Sequence, residues 1–244
     1  MILKLIYQLL TQKQIKFIKS LSIKKNRDYH NCFVVEGEKL VEELIYSKYE
    51  ILKIYSTNDW KKKTHKTISI SNHDLKKISN FKTPNKVLAI VRIQNNKVKN
   101  TGNITLILDD IQDPGNFGTI IRLCDWFNVR EIICSEKTVD LYNPKVIQAT
   151  MGSIFRVKIN YTNILNYIKK IKNPIYASSL SGENIKELNI SKKIHLIIGN
   201  ESNGISKDVL GKVTKKITIK RHNKISESLN VATATGILLH ELSK

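Results

Sequence analysis

Three separated segments carry the residue types best suited to chemistry. The first, Asp113-Pro114-Gly115-Asn116-Phe117-Gly118-Thr119-Ile120-Ile121-Arg122, follows an apolar run ending in Asp109-Asp110 and turns into a helical pattern that Asn116 is positioned to cap. A helix start with glycines at 115 and 118 lets an anion approach free N–H groups, and Arg122 adds a planar fork suited to phosphate. The competing reading is a capped helix whose Arg122 pairs with Asp125 or another carboxylate. The second segment, Ile197 to Gly204, sets Glu201 in a polar turn at the tip of a buried strand, where the carboxyl ends of α/β sheets bind ligands. The third, Ile225 to Gly236, opens a helix that Ser228 is expected to cap, with small residues at Ala232, Ala234 and Gly236 suited to close packing. A cap and a buried helix leave the polar Asn230, so near the first turn, without a purpose. An anion-friendly helix start, an arginine, a carboxylate and amides together point to an enzyme.

These segments need strands and helices to hold them. From residue 104 the chain alternates fully apolar runs with helical patterns, the signature of a parallel sheet covered on both faces. Strands are expected at 104–108, 131–134, 174–177, 195–198 and 216–219, and helices at about 117–128, 143–150, 162–171, 206–211 and 228–243. Upstream, strands at 31–36, 51–55 and 87–91 and helices at 38–45 and 73–79 form a smaller α/β unit. Residues 94–103 are almost without apolar side chains, so the division is set as 1–95, a linker at 96–103, and 104–244. The opening Met1 to Leu10 reads as a short amphipathic helix, because Lys4 interrupts it and no run approaches membrane-spanning length.

The chain of 244 residues is 41% hydrophobic, as a globular protein is, and carries a net charge of +20 that favours polyanionic partners, nucleic acid first. Lysine makes up 35 of the 41 basic residues alongside abundant Ile and Asn, so compositional drift accounts for part of the excess. The distribution is uneven: +13 falls in residues 1–100 and +7 in 101–244. The run Lys61-Lys62-Lys63 is a solvated loop by default. Cys32, Cys124 and Cys134 have no metal or disulfide spacing, no metal is expected, and a reducing cytoplasm fits best. The six histidines are scattered, and His240 reads as packed in its helix. No G-x-G-x-x-G follows a strand, no phosphate-loop motif occurs and no G-x-S-x-G elbow is present, which removes dinucleotide enzymes and serine hydrolases of those types.

Asn116 to Arg122, Ile198-Gly199-Asn200-Glu201 and Ser228-Leu229-Asn230-Val231-Ala232 resemble, in order and spacing, the three motifs of the SpoU, or TrmH, group of SPOUT methyltransferases. Gln148 to Val157 is similar to that family between the motifs, and Phe33 to Lys39 resembles its small ribosomal-protein-like RNA-binding domain. The resemblance implies an α/β domain with a carboxyl-terminal trefoil knot, a fold that general topology rules disfavour. It also implies a homodimer that transfers methyl from S-adenosylmethionine to a ribose 2′-hydroxyl in RNA, rRNA in preference to tRNA. Alternatives are a tRNA 2′-O-methyltransferase and a non-catalytic ribosome assembly factor. Carried over, Asn116, Arg122, Glu201, Ser228 and Asn230 are the catalytic positions. Gly199, Ile219 and Leu229, with the Thr150-Met151-Gly152 turn, are the cofactor positions.

In the family proposal Arg122 is the base. A guanidinium pKa above about 12 opposes that, and phosphate anchoring or stabilisation of the developing alkoxide are the other roles open to it. Glu201 would orient Arg122 or the hydroxyl, and Ser228 and Asn230 would fix ribose or cofactor. The run from Ile219 to Glu227 departs from the family in lacking a proline after Ile219 and a glycine before the third motif. Ile219 is therefore the least secure cofactor contact, and Lys220 and Arg221 could reach RNA instead.

Overall fold

The computed structural model describes residues 7–62, 66–94, 102–189, 193–223 and 228–244, arranged as two units. The first comprises Met1–Asn95 with Tyr142–Phe155, and the second Asn96–Leu141 with Arg156–Lys244. The segment 142–155, which the sequence reading gave to the second part, thus groups with the first. Its aromatic rings explain why, since Tyr142 lies 4.5 Å from Phe33 and Phe155 lies 5.2 Å from Tyr49, centroid to centroid. The interval 96–101 of the expected linker lies outside the described residues.

In the first unit, helices α1 (Gln12–Ser20), α2 (Lys24–His30), α3 (Glu38–Ile45) and α4 (Asn72–Ile78) accompany a four-stranded sheet of order β1-β4-β2-β3. Its strands are β1 (Cys32–Glu36), β2 (Ile51–Ser56), β3 (Thr67–Ser69) and β4 (Val87–Arg92), antiparallel except for the β2–β3 pair. Ile15 and Ile18 of α1 and Leu75 and Ile78 of α4 pack on Val34, Tyr55, Leu88 and Ile90. Of the expected opening helix, residues 7–10 are irregular, and the first described helix begins at Gln12, where Thr11 and Gln14 form a reciprocal cap. The remainder of that call, residues 1–6, lies outside the described residues. Two helices and the short edge strand β3 went unread because Lys-rich α1 and α2 dilute the apolar period.

The second unit holds six strands, all parallel, in the order β10-β8-β9-β5-β6-β7. They are β5 (Ile104–Asp109), β6 (Glu131–Cys134), β7 (Lys158–Tyr161), β8 (Ile175–Asn184), β9 (Ile194–Gly199) and β10 (Lys215–Thr218). Helices α5 (Pro114–Trp126), α7 (Ile164–Ile168), α8 (Lys207–Leu210) and α9 (Val231–Leu242) belong to it, whereas α6 (Pro144–Thr150) belongs to the first unit. The strands read as continuous apolar runs because both faces are covered. Ile107, Ile133 and Ile197 meet Ile164, Ile168 and Val209 of α7 and α8 on one face. Alternation sends Leu106, Leu108, Leu196 and Ile198 to the other face, where α5 and α9 pack together. The chain therefore leaves β5 and β9 toward opposite faces. Their ends, Asp109 and Gly199, are direct register partners, so a crevice opens between adjacent carboxyl ends. Among the described residues no helix is long and apolar enough to cross a membrane.

Candidate active site

Tight hydrogen bonding shapes the crevice from below. Asp110, in the left-handed region at φ 66°, donates its N–H to Ser135 Oγ at 2.9 Å and offers its carbonyl to Asn200 Nδ2 at 2.7 Å. Asp109, nearly buried, accepts the Ser206 N–H at 2.9 Å. Helix α5 is capped by Asp113, whose Oδ1 takes the Asn116 N–H at 2.7 Å, with Pro114 at the first helical position. The cap expected at Asn116 is therefore wrong by three residues, and the Asp-Pro pair was the signal that locates it. The consequence matters, because the Asn116 side chain is left available.

Gly199 ends β9 where only glycine fits. A Cβ there would lie 2.3 Å from the backbone of Gly204 and Ile205. That approach lets Asn200 and Gly204 pair as a miniature antiparallel bridge, while Asn200 Oδ1 collects the N–H groups of Ser202 and Asn203 at 2.9 Å each. The closed turn holds Glu201 outward, exposed. Helix α9 is capped by Asn230, whose Oδ1 accepts from Ala232 and Thr233 N–H at 2.9 and 3.2 Å. The cap expected at Ser228 is thus corrected to Asn230, which accounts for a polar residue at that point. Ser228 and the half-exposed Leu229 lead into the helix, and 224–227 lie outside the described residues.

The three segments meet through side chains. Asn230 Nδ2 donates to Asn116 Oδ1 at 2.9 Å, and Asn116 Nδ2 donates to Glu201 Oε1 at 3.0 Å. Both amide orientations follow from the partners: two backbone N–H groups require the Asn230 oxygen, so its nitrogen faces Asn116, and the carboxylate then requires the Asn116 nitrogen. The chain of bonds leaves one N–H on each amide and one carboxylate oxygen toward solvent. Such a set suits a hydroxyl group, which both donates and accepts, with further acceptor oxygens beside it.

Arg122 stands elsewhere on α5. Six residues beyond Asn116, it lies about 120° around the helix and about 9 Å along it. It is exposed and has no ion pair or hydrogen bond among the described residues. The pairing with Asp125 does not form, because Asp125 takes Arg156 Nε at 2.8 Å. Nor does Glu201 reach Arg122, since its hydrogen-bond partner is Asn116.

Ile219 lines a cavity of about 270 Å³ beside β10, together with Leu180, Gly182, Asn184, Glu187 and Lys220. Strand β8 makes this space by jumping register: Lys216 pairs with Ala177 and Ile217 with Glu183, so residues 178–182 bulge outward. A Cβ on Gly182 would sit 2.6 Å from the Ile217 backbone, so the return of β8 to β10 needs glycine. Leu180, Asn184 and Glu187 were missed in the sequence because β8 was read as ending at Ala177. Thr150, Met151 and Gly152 fall in the first unit. There Met151 has φ 49°, Gly152 has φ 96°, and a Cβ on Gly152 would meet Glu43 of α3 at 2.8 Å. They belong to the first unit, whereas the other candidate residues belong to the second.

Nucleophilic cysteine chemistry is disfavoured, since Cys124 and Cys134 are fully buried and burial pushes both thiols well above their usual range. Among the described residues no group of three or more His, Cys, Asp or Glu side chains is placed to hold a metal.

Comparison with known proteins matches this architecture. Residues 103–240 match the SpoU rRNA Methylase family, and residues 12–89 match an MRM3-like substrate binding domain. The chain is 29% identical over 239 residues, 94% of its length and 96% of the relative's, to the 23S rRNA (guanosine(2553)-2′-O)-methyltransferase RlmP of Bacillus subtilis. A solved putative RNA methyltransferase of the TrmH family from Porphyromonas gingivalis superposes with TM-score 0.87 at 33% identity, covering 96% of this chain and 98% of that one. An AdoMet-bound rRNA methyltransferase from Sinorhizobium meliloti follows at TM-score 0.83 and 25% identity, covering 97% and 96%. With its three motifs gathered at adjacent strand ends and the family match spanning more than half its length, the chain belongs to the SpoU rRNA methylase family.

Proposed function

We propose that Asn116, Arg122, Glu201, Ser228 and Asn230 form the active site of an S-adenosylmethionine-dependent methyltransferase acting on a ribose 2′-hydroxyl in rRNA. The observation that carries this reading is the Asn230–Asn116–Glu201 relay, with two amide N–H groups and one carboxylate oxygen unspent. A ribose edge matches that pattern. The amides hold the sugar oxygens, and the free Glu201 oxygen accepts the proton that the 2′-hydroxyl sheds during attack. Arg122, always cationic and exposed farther along α5, anchors an adjacent phosphate. Ser228 hydrogen-bonds the sugar or the cofactor. Alignment dominates the rate, since no covalent intermediate is needed.

S-adenosylmethionine, when bound, supplies a methyl group on a sulfonium, ready for displacement. The residues present suit it. Leu180, 75% exposed, and the partly buried Ile219 offer apolar surface for a flat base. The Glu187 carboxylate gives the same cavity a favourable edge for a cation. Gly199 and Leu229 complete the cofactor contacts. Residues 1–95 bind substrate RNA, 96–103 link, and 104–244 carry catalysis and thread a carboxyl-terminal knot. The chain works in the cytoplasm as a homodimer, a reading supported by Trp126, a large ring 84% exposed one turn beyond Arg122.

Titration calorimetry with S-adenosylmethionine tests the enzyme reading, with binding in the micromolar range expected. No heat at millimolar cofactor would overturn it. Mapping ribose methylation in rRNA from cells with and without the protein then identifies the nucleotide.

A further inference from the structure

The helical pair α1–α2 concentrates features that the catalytic reading leaves unused. Between residues 12 and 30 the chain carries Lys13, Lys16, Lys19, Lys24, Lys25 and Arg27 against a single acid, Asp28. Ile15 and Ile18 turn inward, which puts Lys13 and Lys16 on the opposite, solvent face of α1 with Lys19 on its flank. Arg27 is buried and donates Nη1 to the carbonyls of Leu21 and Ser22 at 2.9 and 2.8 Å, fixing the corner between the helices. Asp28 is taken by Lys24 at 2.6 Å.

Elsewhere in this unit four acids are matched locally: Glu38 with Lys86, Glu42 with Lys62, Glu50 with Arg92 and Asp74 with Lys77. No acid among the described residues answers Lys13, Lys16, Lys19 or Lys25. Beside these ammonium groups stands an aromatic ladder. The His30 ring lies edge to face against Phe17 at 4.9 Å and against Tyr29 at 4.8 Å, while Tyr29 remains 83% exposed. A large ring fixed from one side and bare on the other is costly to leave in water, and basic side chains around it suit a polyanion with flat faces.

We propose that α1–α2 is an RNA-docking face in which Lys13, Lys16, Lys19 and Lys25 contact phosphates and Tyr29 stacks on an unpaired base. The proposal rests on the reading of this chain as an RNA methyltransferase and adds where and how the substrate is gripped. His30 keeps the Tyr29 ring in place, and the lysines supply affinity without sequence preference. Recognition is therefore of an unstacked, single-stranded element.

The test is fluorescence anisotropy of the full chain with a labelled single-stranded RNA oligonucleotide across a salt series. Replacing Lys13, Lys16, Lys19 and Lys25 by Gln should lower the slope of log affinity against log salt by nearly 3, at about 0.7 per phosphate contact. Tyr29→Ala should weaken binding roughly tenfold or more with the slope unchanged, and Tyr29→Trp should restore it. A lysine variant with the parent slope, or a Tyr29→Ala variant with the parent affinity, overturns the proposal. Circular dichroism verifies folding, and a lysine variant that fails it leaves the decision to Tyr29→Ala. Dimer dissociation on gel filtration, with RNA affinity unchanged, would instead make this a protein contact. S-adenosylmethionine calorimetry on the same proteins keeps the two readings apart: loss of cofactor binding in the parent defeats the methyltransferase reading, whereas the anisotropy results judge the docking face.

Discussion

The two ends of the parallel sheet use polar side chains in opposite ways. At the carboxyl end, Asn116, Glu201 and Asn230 join across three segments yet keep donors and an acceptor pointed at solvent. At the amino end, Glu131 accepts from Lys158 at 3.0 Å and from Asn160 at 2.9 Å. Tyr167 lies 3.4 Å from His195 Nε2, and His195 is almost buried. The first cluster keeps donors and an acceptor free for a ligand, whereas the second bonds mainly within itself. Changes at the carboxyl end should therefore cost rate, and changes at the amino end should cost stability.

The largest expected effect tests the exposed cluster. Arg122→Ala should lower methylation by about a thousandfold, the loss seen when a preorganised charge stabiliser is removed, with S-adenosylmethionine affinity unchanged within twofold. Near-parent turnover would remove Arg122 from the site. Next, Glu201→Gln should cost on the order of a hundredfold in rate, with little change in melting temperature. A variant with near-parent turnover would assign the proton to another acceptor.

Gly199→Ala breaks the contrast deliberately, because it damages the carboxyl end through backbone packing. Its Cβ would overlap Gly204 and Ile205, so the turn must move, at a cost of about 1–3 kcal/mol in denaturant unfolding and with Glu201 displaced. Asn230 separates the two currencies more finely. Asn230→Asp keeps the cap of α9 but loses the donor to Asn116, so activity should fall while stability holds. Asn230→Ala should lose both, the cap being worth about 1 kcal/mol. Equal activity in the two variants would show that Asn230 serves only the helix.

Much of this was legible beforehand because β5 and β9 are long apolar runs whose ends carry glycine, Asn and acids, a pattern that local physics explains. The cap positions were not, although Asp113-Pro114 carried the information, because Asn116 is a good capping residue that tertiary hydrogen bonds claim and Ser228 stands two residues before the actual cap at Asn230. Strand β8 was read short, since Ser178 to Gly182 looks like a loop and the register jump that lets pairing resume at Glu183 depends on β10, far along the chain. The grouping of 142–155 with the first unit depends on Phe33 and Tyr49, more than 90 residues away, which no periodicity registers. The convergence of Asn116, Glu201 and Asn230 came from motif resemblance, whereas the direction of each amide came only from the hydrogen bonds.

At the amino end the sharpest test is the pH dependence of stability. Burial lowers the His195 pKa below its usual 6.5, and the nearby Glu131 carboxylate offsets this only in part. Among the described residues Nδ1 has no hydrogen-bond partner, so a proton added there would be a buried charge without one. A folded-state pKa below the unfolded value means that the unfolded chain binds the proton first. Stability is then fully present above about pH 6.5 and is lost as pH falls from there toward the folded-state pKa. The slope contributed by this one group cannot exceed about 1.4 kcal/mol per pH unit. His195→Leu removes both the titration and the unpartnered nitrogen, so subtracting its urea-unfolding profile from the parent's should leave a difference confined to the range below about pH 6.5. Parallel profiles would show that Glu131 supports the imidazolium as well as it does in water, and that the amino end is no more closed than the site opposite.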